Sequence, residues 1–297
     1  MLIEDWRPKL YCKDIECQNL SLNGRVFFLE EGHKYYHEGD VEGSTLLAFE
    51  NSKYAFRSPT GLIANFYEHF DTIPQAKKYV LKHKLPISWE QLVFAWDMLG
   101  DIASDEGTTL HGYGESLFND WGMKAPDLLK TPYVQALHKE LSSKYVLAKT
   151  ELLVYSLELR VAGQVDLLMR NNDSTEYHIL DYKFIKEPLE RKSYYNRFTR
   201  KYKMMTGPFS RLMDTNYSHY SIQLELYRYL MGAVGRKVKT KRLMVVTPQG
   251  YELVDTIPMK IWVTKDGVMH AKYRHYKDKI YDSSMDPEYL ENPYQLI

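Results

Sequence analysis

Two aspartates and a lysine stand where their charges could meet on one face of a β-hairpin. Asp166 and Asp181 each lie within a short apolar segment, and the turn-forming cluster Asn-Asn-Asp-Ser at 171–174 separates the two segments. This pattern predicts a hairpin, and symmetry about the turn places Asp166 opposite Asp181. Like charges so placed destabilise a sheet, and Lys183 projects from the same face because it is two residues beyond Asp181. A divalent cation between the carboxylates would remove the repulsion, so the hairpin predicts a metal site.

The alternative is a solvated strand face with Lys183 as an ordinary salt-bridge partner. Both aspartates, however, are flanked by apolar residues. A buried carboxylate without a partner is very costly, which favours the metal site.

A second candidate group lies in the segment Gly-Thr-Thr-Leu-His-Gly-Tyr-Gly-Glu at 107–115. On a helix, His111 and Glu115 are four residues apart and share one face. An imidazole can ligate a metal, and a carboxylate can bind or orient one. Taken alone, this pair is better explained as an ordinary feature of a helix surface.

The third group is Gln223 and Tyr227, which share a helix face by the same spacing. An amide and a phenol can hydrogen-bond a phosphate or a base edge. Alone, they are equally well explained as part of a polar helix face.

The order of these groups resembles the PD-(D/E)XK nuclease superfamily. The chain has Gly-Thr-x-x-His at 107–111, Gly-x-x-Asp at 163–166, Asp-x-Lys at 181–183 and Gln-x-x-x-Tyr at 223–227. It is most similar to the RecB-like branch, which includes the mitochondrial genome maintenance exonuclease and phage and viral exonucleases. The resemblance covers residues 107–227, and Gly-His-Lys-Tyr at 32–35 matches the start of those relatives only loosely.

The resemblance implies roles for the residues at the matching positions. The catalytic residues would be Asp166, Asp181 and Lys183; the metal ligands His111, Asp166, Asp181 and the backbone carbonyl of Tyr182; and the supporting residues Glu115, Glu151, Gln223 and Tyr227. The implied cofactor is Mg²⁺, a hard cation that carboxylates suit, with Mn²⁺ able to substitute.

A basic segment follows the Asp-x-Lys motif. From Glu190 to Asp214 the chain has seven Lys and Arg residues and two acids, with aromatic residues interleaved. Basic residues that track phosphates and aromatics that stack on bases are typical of single-strand binding. A solvated loop explains the composition equally well, but the position directly after the motif favours DNA contact. The expected contacts are Lys192, Tyr195, Arg197, Arg200, Lys201, Tyr202 and Lys203.

Bulk composition adds exclusions. The 297 residues include 39 basic and 39 acidic ones, so the global charge does not indicate a nucleic-acid partner. The two cysteines, Cys12 and Cys17, cannot hold an iron–sulfur cluster with four thiolates. No apolar run approaches the roughly 18 residues of a membrane span, so we expect a soluble intracellular protein, in the cytoplasm of a cell or infected host or in an organelle, with no membrane partner.

The expected fold class is α/β. Apolar patterns predict a hairpin at 25–36, helices from about residue 60 to 118, with one ending at Gly100 and another starting near Ser104, and a three-stranded meander at 145–185. A helix at 220–233 and two strands at 241–246 and 251–257 follow. The order predicts a mixed sheet with helices packed on it, and the resemblance makes this a restriction-endonuclease-like sheet flanked by helices. We expect one domain at 1–297: a mostly helical N-terminal portion at 1–103, a catalytic core at 104–260 and a C-terminal extension at 261–297.

The leading hypothesis is a metal-dependent DNA exonuclease that acts on single-stranded ends in replication, recombination or repair, alongside other proteins of those processes. One alternative is a structure-specific or restriction-like endonuclease on the same core. Another is a catalytically silent DNA-binding module, which the intact Asp/Asp/Lys set disfavours.

Overall fold

The computed structural model describes residues 26–29, 34–37, 56–156, 159–172, 174–233, 237–275 and 279–296. Its strands are β1 (Val26–Leu29), β2 (Lys34–His37), β3 (Val146–Ser156), β4 (Val161–Arg170), β5 (Tyr177–Phe184), β6 (Tyr195–Asn196), β7 (Lys201–Tyr202), β8 (Val238–Thr247), β9 (Gly250–Asp255), β10 (Met259–Val263), β11 (Met269–Arg274) and β12 (Ile280–Asp282). Its α-helices are α1 (Pro59–Ile63), α2 (Thr72–His83), α3 (Trp89–Asn119), α4 (Thr131–Lys144), α5 (Asn216–Ala233) and α6 (Pro287–Glu291).

Five strands form a mixed central sheet in the order β3-β4-β5-β8-β9. The first three strands are the predicted meander and pair antiparallel, whereas β5 and β8 pair parallel. The hairpin register is the predicted one, with Arg170 opposite Tyr177 and Leu167 opposite Leu180. Mixed α/β architecture, as expected from the sequence, is therefore confirmed.

Side chains that alternate along the strands enter different apolar clusters on the two faces of the sheet. Ile179 packs in one cluster with Ile222, Leu226 and Leu230 of α5, which are the predicted inward residues of that helix. The neighbouring Leu180 packs in another cluster with residues of α3 and α4. Because successive strand residues point to opposite faces, the sheet is covered by helices on both sides, and Asp181 projects toward α5. The side chain of Ala233, also predicted to point inward, is not among those that the structure describes.

Helix α3 corrects one prediction. The sequence places a helix end at Gly100 and a new N-cap at Ser104, but the structure has a single helix of 31 residues. Its start is fixed by Ser88, whose hydroxyl accepts a hydrogen bond from the Gln91 amide while the Gln91 side chain accepts one from the Ser88 amide. An interior glycine costs only about 1 kcal/mol relative to alanine, which an already formed helix tolerates. The boundary expected at 103/104 thus falls inside a helix.

The remaining strands of the C-terminal part form a hairpin in the central sheet and a second, separate sheet. Strands β8 and β9 form the predicted hairpin around residues 248–249, and β10, β11 and β12 form an additional antiparallel sheet that the sequence did not indicate. The amide of Ile261 in β10 donates a hydrogen bond to the buried carboxylate of Glu225 in α5. This bond ties the C-terminal strands to the helix that covers the central sheet.

Strands β1 and β2 pair antiparallel, as the sequence predicts for 25–36. The turn of this hairpin, Cys12, Cys17 and Asp173 lie outside the described residues. Within the described ranges, none of the helices is long and apolar enough to cross a membrane.

Candidate active site

A cleft of about 630 Å³ opens between α3, the strands of the meander and α5. The acidic and basic residues that line it are His111, Glu115, Glu151, Asp166, Asp181 and Lys183. Gln223 and Tyr227 of α5 and Tyr35 of β2 complete its polar wall. The residues of the three sequence motifs therefore share one cavity.

His111 reaches the cleft from α3, in the same helix face as Glu115. Its Nδ1 atom lies 3.5 Å from Oδ2 of Asp166. The imidazole ring makes edge contacts with the aromatic rings of Tyr182 and Phe184, at centroid distances of 5.5 and 5.2 Å. These two rings, which stack on each other, hold the imidazole against the carboxylate.

Asp166 stands where the β4–β5 ladder ends. The last residue pair of this ladder is Leu167 with Leu180. Just beyond it, the backbone amide of Tyr182 donates a hydrogen bond of 2.7 Å to Oδ2 of Asp166. The carboxylate thus replaces a strand carbonyl as the acceptor. This bond fixes the orientation of the acid while leaving it at the cleft wall.

Glu151 comes from β3, on the other side of Asp166. Thr150 pairs with Leu167 and Leu152 with Val165, so the register places Glu151 directly opposite Asp166. Its backbone has φ of 45°, a left-handed conformation that costs a residue with a Cβ about 1–3 kcal/mol and is common at functional sites. The carboxylate of Glu151 lies within 4.8 Å of the carboxylate of Asp166 across from it.

His111, Glu151 and Asp166 each offer one ligand atom, and these three atoms lie within 4.8 Å of one another. Octahedral ligands of Mg²⁺ at about 2.1 Å are about 3 Å apart when adjacent and about 4.2 Å apart when opposite. Donor atoms within 4.8 Å of one another can therefore reach one cation if they approach each other by up to about 2 Å. One imidazole and two carboxylates suit Mg²⁺ or Mn²⁺. The residues present therefore fit a divalent cation.

The carboxylates of this group hold their protons more tightly than usual. Burial, reinforced by the charges of Asp166, Glu115 and Asp181, raises the pKa of Glu151 to about 9. Burial likewise raises the pKa of Asp166 to about 6, although Lys183 and the Tyr182 amide act in the opposite direction. A cation would relieve the cost of ionising these acids.

Asp181 lies beside the three-donor group rather than within it. Its carboxylate forms an ion pair with the ammonium of Lys183, and burial raises the pKa of Asp181 to about 6 despite that partner. Burial alone would lower the pKa of Lys183, but Asp181 and Asp166 outweigh it and raise the pKa. Lys183 also lies 4.7 Å above the ring of Tyr220, so the ammonium is held between a carboxylate and an aromatic face.

Glu115 lies one helical turn beyond His111 on the same face of α3. Its Oε1 accepts a hydrogen bond of 3.0 Å from the Thr150 hydroxyl, which in turn accepts one from the Asn119 amide. Burial raises the pKa of Glu115. Because Thr150 precedes Glu151, this network links α3 to the distorted position in β3.

Two glycines allow the elements of the site to approach each other. A Cβ at Gly163 would lie 2.7 Å from the ring of Tyr227 and 2.9 Å from Pro59, and a Cβ at Gly114 would lie 2.8 Å from the Tyr182 hydroxyl. Real Cβ atoms do not tolerate such distances. The absence of side chains here lets α5 lie close to β4 and lets α3 lie close to β5.

Gln223 and Tyr227 are buried and bonded to each other. The Gln223 amide donates a hydrogen bond of 3.0 Å to the Tyr227 hydroxyl, and the two side chains are 8% and 4% exposed. They form a fixed wall of the cleft and offer few free polar atoms to a ligand.

The expected DNA-contacting residues separate into two kinds. Lys192, Arg197, Arg200 and Lys201 are exposed, whereas the ammonium of Lys203 lies 2.9 Å from the carboxylate of the buried Asp214. The rings of Tyr195 and Tyr202 pack on each other, 5.0 Å apart, across the β6–β7 pair. Lys203 and the two tyrosines therefore have structural roles that the sequence did not reveal.

The sequence indicated only a supporting role for Glu151. It assigned no role in the site to Tyr35, to Gln164, which also lines the cleft, or to Tyr220. Tyr220 was detectable, because it precedes Gln223 by three residues on the same helix face. Gln164 was detectable by its position two residues before Asp166 in β4. The backbone carbonyl of Tyr182 stays a predicted ligand. A scan of family models and a search of curated proteins found no match for the chain.

Proposed function

We propose that the protein is a metal-dependent deoxyribonuclease that hydrolyses phosphodiester bonds at this cleft, as an exonuclease. The observation that carries the proposal is the convergence of His111, Glu151 and Asp166 within 4.8 Å, beside the Asp181–Lys183 ion pair. A cation site next to a fixed ammonium is what an anionic phosphodiester needs for attack by water.

Membership of the PD-(D/E)XK superfamily, with its restriction-endonuclease-like fold, is part of the proposal. Its support is the position of the motifs on the elements: His111 on α3, the two aspartates and Lys183 on β4 and β5, and Gln223 and Tyr227 on α5. The antiparallel meander that continues into a parallel strand gives a mixed sheet of the expected kind.

His111, Glu151 and Asp166 would hold the cation, which is Mg²⁺ or Mn²⁺. When bound, the cation supplies Lewis-acid polarisation of the scissile phosphate and makes water more acidic. Asp181 fixes Lys183 through their ion pair, and the raised pKa keeps the Lys183 ammonium protonated at neutral pH. We therefore assign Lys183 to neutralising charge that develops on the phosphate and to positioning the attacking water, rather than to removing its proton.

Digestion of end-labelled oligonucleotides tests this function. Single-stranded DNA should be degraded with Mg²⁺ or Mn²⁺ and spared with EDTA, a double-stranded oligonucleotide serves as the comparison, and closed circular DNA should be spared because an exonuclease needs an end. Cleavage of the circle would instead identify an endonuclease. Both Asp181→Ala and Lys183→Ala should abolish cleavage while oligonucleotide binding stays measurable.

Matched substitutions outside the cleft serve as controls. Asp101→Ala alters an exposed acid on α3, and Lys237→Ala alters an exposed lysine next to β8, opposite the start of β5 rather than its active-site end. Both controls should retain full activity. Nuclease activity that persists in purified Asp181→Ala protein would refute the assignment, and DNA binding without cleavage by the unmodified protein would favour the silent binding module.

A further inference from the structure

The β6–β7 hairpin carries a completely exposed aromatic side chain at its tip. Phe198 is 99% exposed, although burying such a ring would gain about 2–3 kcal/mol. Single exposed apolar residues are common on protein surfaces. Phe198 differs from such residues because it lies on a hydrogen-bonded turn and is surrounded by exposed basic side chains.

The turn is held by its own side chains. Oδ1 of Asn196 accepts hydrogen bonds from the amides of Phe198 and Thr199, at 2.9 and 3.1 Å. Below it, the Ser193 hydroxyl donates to the carbonyl of Lys203 and the Lys203 amide donates to the carbonyl of Tyr194. The backbone at Phe198 is therefore ordered before any ligand binds, which lowers the entropy cost of a contact.

The charge around the tip has one sign. Arg197 and Arg200 flank Phe198, Lys201 follows, and all three are exposed. Residues 191–213 contain no Asp or Glu. In a chain whose total charge is balanced, this segment is a local positive surface that attracts phosphates.

Contacts along α5 connect the hairpin to the active site. The guanidinium of Arg191 lies 5.0 Å from the ring of Tyr217, and the ammonium of Lys183 lies 4.7 Å from the ring of Tyr220, one helical turn further on. A second cleft of about 440 Å³ extends from Ile185, two residues beyond Lys183, to Ser193 and Tyr194 at the hairpin base, and Glu187, Glu190 and Asp214 also line it. The base of the hairpin and the surroundings of Lys183 therefore contact the same helix, α5, one turn apart, and the basic hairpin tip rather than this acidic cleft is the surface that attracts phosphates.

We infer that Phe198 stacks on an unpaired nucleobase of the substrate while Arg197, Arg200 and Lys201 contact the flanking phosphates. We assign the aromatic contact to Phe198 because its ring is 99% exposed at the tip, whereas Tyr194 at the hairpin base is 75% exposed and the ring of Tyr195 packs on Tyr202. A paired base inside a duplex is stacked on both neighbours and offers no free face to this ring, and only a terminal pair exposes one. We therefore infer that the ligand is single-stranded nucleic acid. The inference rests on the proposed function and specifies the strand that enters the cleft.

Binding of fluorescent single-stranded oligonucleotides in EDTA tests the inference without cleavage. Phe198→Ala should weaken binding about tenfold, within the range for loss of one base–aromatic stack, while Phe198→Trp should retain affinity. Phe94→Ala, at an exposed phenylalanine of α3, is the matched control and should bind normally. In a series of oligonucleotides with one abasic position each, one member should bind the unmodified protein more weakly but lose nothing further with Phe198→Ala.

The salt dependence of binding reports the phosphate contacts. Replacement of Arg197, Arg200 and Lys201 by Gln should reduce the slope of log affinity against log salt by about 2, at about 0.7 per contact with a single strand. Equal affinity of Phe198→Ala and the unmodified protein, or competition by polyglutamate as effective as by the oligonucleotide, would overturn the inference. Phe198-dependent binding without Mg²⁺-dependent cleavage would support it and refute the proposed nuclease activity alone.

Discussion

Glu151 and Asp166 face each other across the β3–β4 register, so that two carboxylates meet where a sheet normally pairs neutral or opposite charges. Burial and mutual repulsion raise the pKa of Glu151 to about 9, and its backbone lies in the left-handed region. This arrangement destabilises the protein without a cation. A cation bound between the two carboxylates would therefore raise the free energy of unfolding.

Glu151→Gln should weaken Mn²⁺ binding and stabilise the metal-free protein. The amide keeps the size of the side chain but removes one ligand charge, so the loss of affinity should exceed the roughly 10–100-fold that loss of an outer partner costs. In EDTA at pH 8, the free energy of unfolding should rise by on the order of 1–3 kcal/mol, because the variant no longer has to take up on folding a proton that the unfolded chain has lost. Titration calorimetry and urea unfolding measure the two effects.

Glu252→Gln on β9 is the control, since Glu252 is an exposed strand residue. It should leave both Mn²⁺ affinity and stability within error. Unchanged Mn²⁺ affinity in Glu151→Gln would exclude Glu151 from the metal site.

The stability of the metal-free protein should fall as pH rises from 7 to 9. A carboxyl whose folded pKa is raised binds its proton in the folded state but has lost it in the unfolded state, so each step up in pH favours unfolding. The pKa values of Asp166 and Asp181, near 6, place their contributions lower, and that of Glu151, near 9, places its contribution in this window. Burial lowers the pKa of half-buried histidines such as His219, so their opposite contribution to the slope ends before pH 7.

Urea unfolding in EDTA at several pH values measures this slope. It should be smaller in Glu151→Gln and should disappear with saturating Mn²⁺, which replaces the protons. A slope that is identical in the unmodified protein and in Glu151→Gln would show that another group causes it.

Gly163→Ala should destabilise the protein by about 1–3 kcal/mol, the usual cost of forcing extra atoms into a packed core. The new methyl group would meet Tyr227 and Pro59 at 2.7 and 2.9 Å, so α5 has to move from the cleft and DNA cleavage should drop. Thermal unfolding and the digestion assay measure both effects. Gly250→Ala, where a Cβ would meet nothing within 4 Å, is the control, and equal behaviour of the two variants would contradict the close approach.

Gly100 provides a test of the continuous helix α3. Gly100→Ala should raise the free energy of unfolding by about 0.4–1 kcal/mol, because a Cβ there meets nothing within 4 Å and alanine favours helix. Gly100→Pro should lower it by about 3 kcal/mol or more. Tolerance of proline would instead indicate the helix break that the sequence pattern suggests.

Strong local patterns made much of the fold predictable. The turn cluster at 171–174 fixed the register of β4 and β5 through Arg170 and Tyr177, and the spacing of Ile222, Leu226 and Leu230 identified the buried face of α5. In contrast, the sequence from Ser156 to Arg160 has no Gly, Pro or Asn to locate a turn. The register that brings Glu151 opposite Asp166 was therefore hidden.

The other misses depend on tertiary contacts. Gly100 reads as a helix end, yet Ser88 and Gln91 start a helix that continues through it. The sequence likewise did not indicate the ion pair of Lys203 with Asp214, eleven residues away, and the DNA contact of Lys203 stays a prediction. Neither outcome follows from local propensity, since each depends on which surface another segment covers.

The residues of the site lie on strands that differ in local stability, because these strands have different positions in the central sheet. Strand β5, which carries Asp181 and Lys183, has neighbours on both edges, whereas β3, which carries Glu151, lies at the border of the sheet. Border strands open in local fluctuations far more often than central ones, which exchange their amide protons only when the whole molecule unfolds. Opening of β3 would thus withdraw Glu151 from the proposed cation site while Asp181 and Lys183 stay in place, so that a bound cation could leave and return without unfolding of the core.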